Sequence, residues 1–90
     1  MMYPFLTLTD GTEIVHSEMH EDNTVKVYIE KPDANDCFHH AVCMLPMYEW
    51  QDIFGFSEDE ISGYMKIIQS TAHLILQFAR DGGFDNASGL

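Results

Sequence analysis

The sequence predicts an α+β fold: a four-stranded antiparallel meander, then a short helical turn, then one long C-terminal helix packed on one sheet face. Three observations carry this expectation. Short runs with β-type alternation recur through the first half of the chain, separated by turn residues. A helix-period segment with capping signals at both ends fills residues 57–81. Pro46 and Gly55 isolate a short apolar segment between these two regions.

Residues 5–9, Phe5-Leu6-Thr7-Leu8-Thr9, form a β-type run that ends at the turn signal Asp10-Gly11. Residues 13–19 return as a second strand, and His20-Glu21-Asp22-Asn23 make the next turn. Residues 24–31 alternate most cleanly, with Val25, Val27 and Ile29 on one side and Lys26, Tyr28 and Glu30 on the other. Pro32 and the Asx-rich stretch to Asp36 form a loop, and residues 37–45 read as a fourth strand, apolar on both faces. In residues 47–54, Met47, Trp50, Ile53 and Phe54 fall at i, i+3, i+6 and i+7, which predicts one or two helical turns. Residues 1–83 are expected to form one domain, with 84–90 a frayed tail.

The long helix organises the rest. Ser57 and Glu60 stand at the spacing of a capping box, and Phe56 with Ile61 at that of a hydrophobic staple. Glu58, Asp59 and Glu60 place negative charge at the positive end of the helix dipole, and Arg80 sits at the opposite end before Gly82 and Gly83. Ile61, Tyr64, Met65, Ile68, Ala72, Ile75 and Ala79 share one face. Ile67, Leu74 and Phe78 widen it on one flank and Leu76 on the other, so the apolar arc spans roughly 200°, about twice what one sheet requires. Either the chain wraps both flanks itself or a second molecule covers one of them.

Composition narrows the function. With 4 Lys and Arg against 15 Asp and Glu, the net charge is −11. That argues against direct contact with nucleic acid or an anionic membrane, both of which require clustered cations. No window reaches the length of a membrane span and no leader pattern opens the chain, so a cytoplasmic location is expected. Cys37 and Cys43 lie six apart in one strand, roughly 20 Å, which is outside disulfide reach.

Candidate chemistry is sparse. His16-Ser17-Glu18-Met19-His20 departs from the H-E-x-x-H pattern, although an extended strand would put His16, Glu18 and His20 on one face. A zinc site drawn from His16, His20, Cys37 and His39 is one alternative, without any finger-type spacing behind it. Cysteine beside His39 or His40 lacks the electropositive setting that activates a thiol, and Glu58 with Glu60 is already explained by the helix start. No phosphate loop or nucleophile elbow is present.

The expectation is a non-catalytic protein-interaction or regulatory module without a cofactor, a homodimer or a binder of another protein. Its partner-binding residues would be Tyr48, Trp50 and Phe54 in the aromatic segment and Ile67, Leu74 and Phe78 on the helix flank. An acidic inhibitor that mimics nucleic acid on a basic partner is the other alternative.

Overall fold

In the computed structural model the described residues are 2–33 and 37–81, without the side chains of Asp33, Cys37 and Phe38. They form five strands and one helix: β1 (Met2–Thr7), β2 (Glu13–Ser17), β3 (Val25–Asp33), β4 (Cys37–Leu45), β5 (Glu49–Phe54) and α1 (Glu58–Arg80). The strands pair antiparallel in chain order, β1-β2-β3-β4-β5. The α+β class and the terminal helix are as expected. The expected tail 84–90 and the glycines 82 and 83 lie outside the described residues.

The strand count and three strand boundaries are corrected: β1 lies at Met2–Thr7 rather than 5–9, and β3 continues through Pro32 to Asp33, where a loop was expected. The sheet has five strands, because the segment read as a helical turn is β5. It is held by pairing with β4, His40 opposite Phe54, Val42 opposite Gln51, Cys43 opposite Trp50 and Met44 opposite Glu49. The physical reason is the position of β4. Ala41, Cys43 and Leu45 are fully buried beneath the helix, so an open β4 edge would leave main-chain donors and acceptors unpaired beside the core. The third boundary is that of β2, which ends at Ser17 rather than 19. Ser17 Oγ accepts from the Lys26 amide at 3.0 Å and donates to the Glu18 carbonyl at 2.8 Å, so its hydroxyl occupies the place of the next ladder bond.

Turn chemistry sets the register. Asp10 accepts from the Thr12 amide at 3.0 Å beside Gly11, whose φ of 90° suits a residue without Cβ. Asp22 accepts from the Thr24 hydroxyl at 2.6 Å and amide at 3.2 Å, and Asn23 takes the left-handed φ of 66°. Between β4 and β5 the Leu45–Pro46 peptide is cis and Tyr48 has φ 59°.

The core lies between one sheet face and the helix. Ile14 on β2, Val25, Val27 and Ile29 on β3 and Cys43 and Leu45 on β4 meet Tyr64, Ile68, Ala72, Ile75 and Ala79 of α1. The helix begins with the expected capping box: Ser57 Oγ accepts from the Glu60 amide at 3.2 Å, and Glu60 Oε1 from the Ser57 amide at 2.9 Å. Lys31 joins Glu60 and Asp10 at 3.8 and 3.6 Å, and the Ala79 carbonyl accepts from the Met19 amide at 3.2 Å. The helix is thus tied at both ends.

The wide apolar arc is largely enclosed by this one chain. Phe78 meets Phe5 of β1 at 6.1 Å, and Ile61, Ile67 and Leu76 pack against the core. Leu74 stays 37% exposed. Truncating Ile75 to Ala removes about 2–5 kcal/mol of stability in urea unfolding, whereas Leu74→Ala costs less than about 1 kcal/mol.

Stability also depends on acid. The Thr24 hydroxyl and amide hold the Asp22 carboxyl below the usual range, and the Ser57 amide does the same for Glu60, aided by Lys31. Because the folded values are depressed, the unfolded chain takes up the protons first. This stabilisation is complete above the ordinary carboxylate range of about 4 and is lost as pH falls through the folded values. Urea midpoints therefore drop from about pH 5 to pH 3, and the drop is shallower in Asp22→Asn and Glu60→Gln.

Candidate functional site

β5 is the last strand of the sheet, paired on one side with β4. Two residues of β5, Asp52 and Ile53, stand opposite the single Ala41, a β-bulge with Asp52 at φ 51°. The bulge resets the alternation. Trp50 and Ile53 line a groove on the helix side, and Phe54 stacks on His40 on the other face, with ring centroids 5.5 Å apart.

The groove has a volume of about 330 Å³, and its apolar lining comes from Trp50, Ile53, Phe56, Ile61 and Met65, with Glu58 on its wall. Its geometry is set where β5 turns into α1. Gly55 has φ 87°, and a Cβ there would collide with the His39 ring, so the chain passes flush against β4. Phe56 is then held edge-on between His39 at 5.7 Å and Tyr64 at 5.1 Å. Trp50 packs its ring on the core, while its buried Nε1 has no hydrogen-bond partner among the described residues. On the opposite face Tyr28, His40, Val42, Asp52 and Phe54 line a second, more polar cleft of about 300 Å³, and Ile53 reaches both.

Exposure concentrates at this edge. Of the six exposed large apolar residues among those described, Met47 (53%), Ile53 (46%) and Phe54 (54%) belong to β5 or the turn leading into it. Scattered apolar residues are ordinary on a protein surface, but here Ile53 opens into the apolar groove while Phe54 stands exposed on the other face of the same edge strand.

The six expected partner-binding residues therefore divide. Tyr48, Trp50 and Phe54 lie on β5 or its turn, the first two half-buried against the core. Ile67 packs on the core, Phe78 sits against Phe5, and Leu74 alone is exposed on that flank. Ile53 belongs to the segment of large side chains expected at a partner-binding edge, whereas Phe56, Ile61 and Met65 are explained by the sequence as staple and helix core and join the surface only through the fold.

The histidine and cysteine candidates are dispersed. His16 is fully buried facing the helix, not on a solvated strand face. Its Nδ1 lies 2.8 Å from the Ser17 carbonyl, and Tyr3 and Phe5 are at 5.7 and 6.3 Å. Glu18 and His20 fall beyond the end of β2, and His20 contacts Thr24. His39 pairs across with Lys31, four residues along β3 from the Val27 that pairs with His16. The Cys37 side chain is outside the described residues, and among those described no group of three metal-ligating side chains comes together.

Cys43 is fully buried, and desolvation pushes its thiol up to about 11, the opposite of an activated nucleophile. The described carboxylates do not gather on one stripe. Asp10 and Glu60 meet Lys31 near one end of the sheet, Glu18, Glu21 and Asp22 lie at the other, and Glu49 and Asp52 lie on β5. Among the described residues no helix is long and apolar enough to cross a membrane.

No protein-family model, curated protein or solved structure matches the chain.

In a Cys37→Ser background, Cys43 reacts with iodoacetamide at pH 8 on the order of 10²-fold more slowly than a free thiol. Adding urea to unfold the chain abolishes the difference, as peptide mass mapping would show.

Proposed function

We propose that this chain is a non-catalytic protein-interaction module that engages its partner along β5, over the groove between that strand and the first turns of α1. The observation that carries the reading is the coincidence of a strand edge unpaired among the described residues, an apolar groove and the exposed pair Ile53 and Phe54. An edge strand offers main-chain hydrogen bonds, and a neighbouring pocket selects the side chain that accompanies them. Aromatic residues such as Trp50 are favoured anchors because they bury a large area with few torsions. The inert Cys43 thiol and the dispersed histidines support the same reading.

A second copy is one partner that meets this description, and the helix flank at Leu74 is the competing surface for it. Two variants separate these surfaces. Ile53→Asp, introduced at an exposed position, leaves the helical circular dichroism and the urea midpoint nearly unchanged. It weakens partner binding or self-association by roughly 30-fold, the scale of one interface hot spot. Native mass spectrometry of the 10.3 kDa chain and co-purification from its host read this out. An assembly that survives Ile53→Asp and is lost in Leu74→Asp would move the interface to the helix flank.

A further inference from the structure

We infer that the occupant of the β5 edge is an extended, basic segment of another protein, added as a sixth strand with one apolar side chain seated in the Trp50–Ile53–Met65 groove. This rests on the assignment of β5 as the interaction edge and names the chemistry of what binds there.

The two edges of the sheet differ in what they can accept. β1 carries Pro4, which has no amide donor, and a bulge between Pro4 and Leu6, both of which blunt strand addition. β5, Glu-Trp-Gln-Asp-Ile-Phe, has no proline. Its protective features are the bulge at Asp52 and the charges of Glu49 and Asp52. Those charges are selective. They repel a like-charged edge and favour a cationic one.

The surroundings have the same sign. Glu58 lines the groove and Asp59 follows it on the exposed first turn. Among the described residues none of Glu49, Asp52, Glu58 and Asp59 has an ion-pair partner, since Lys31 is engaged with Asp10 and Glu60. Lys26 lies over the Tyr28 ring at 5.8 Å, and Arg80 is in the last turn of the helix. A second copy would bring a further −11 of charge to an edge that is already acidic. A strand with lysine or arginine at alternate positions sets them beside Glu49 and Asp52, and the intervening apolar side chains turn toward Ile53 and the groove, whose wall carries Glu58. Charge complementarity therefore selects a basic heterologous partner over self-pairing.

The full chain is titrated with three blocked heptapeptides of alternating sequence: Lys-Val-Lys-Phe-Lys-Val-Lys, its glutamate counterpart and its threonine counterpart. The single tryptophan, Trp50, reports binding by fluorescence. The basic peptide is expected to bind at least roughly tenfold more tightly than the neutral one, and to lose most of that advantage when salt rises from about 50 to about 500 mM. N-methylation of alternate peptide amides abolishes binding, as does Ile53→Asp. The milder Ile53→Thr weakens it, so the result does not depend on one variant folding.

Equal binding of all three peptides would overturn the basic partner class while leaving β5 as the interaction edge. Basic-peptide binding that is indifferent to Ile53→Asp and to N-methylation would reduce the effect to general surface charge and overturn the inference. If no peptide perturbs Trp50 while an Ile53-dependent complex is recovered from cells, strand addition is wrong and the module stands. A concentration-dependent dimer that buries Trp50 at low salt would replace the basic segment with a second copy.

Discussion

The structure depends on one dry contact, the seam between the Tyr64-Ile68-Ala72-Ile75-Ala79 stripe of α1 and the inward face of β2, β3 and β4. Val25, Val27, Ile29, Ala41, Cys43, Leu45, Ile68 and Ile75 are all fully excluded from solvent, so the seam is continuous. A domain of this size has little other apolar surface to bury, and its stability is correspondingly concentrated there. The tethers at either end of the helix, Lys31 with Glu60 and Met19 with Ala79, fix where the seam begins and stops. The strands outside the seam, β1 and β5, are consequences of it. They satisfy the backbone edges of β2 and β4 and fold their aromatic residues around the two flanks of the helix, Phe5 on one side and Trp50 on the other.

This arrangement explains which parts of the sequence were legible. The helix was, because capping and periodicity are local and agree with each other: Ser57 and Glu60 bond to one another, and the buried stripe follows the spacing. β3 was legible for the same reason, since its alternation is unbroken. The fifth strand was not. A bulge inserts one residue, so Trp50 and Ile53 come to share a face at a spacing of three, the spacing of a helix. Only the pairing with β4 distinguishes the two, and pairing is not a local property.

The orientation of His16 was hidden by another non-local choice. Continued to residue 19, β2 reads as an extended face carrying His16, Glu18 and His20. The Ser17 hydroxyl ends the strand instead, and His16 turns inward with Ile14. The groove was partly legible through Trp50. Its other walls, Phe56, Ile61 and Met65, came from a segment whose apolar residues were fully explained as helix core. Residues at the margin of a packed stripe serve both as core and as surface, and the spacing alone does not divide them.

The two ends of the described chain share a location. Met2 lies opposite Ser17, and the Met19 amide donates to the Ala79 carbonyl, so the start of β1 and the last turn of α1 lie together at the end of the sheet away from Gly55 and the first turn of the helix. The groove, lined by Phe56, Glu58 and Ile61, lies toward the opposite end, so the described chain starts and stops at a distance from it.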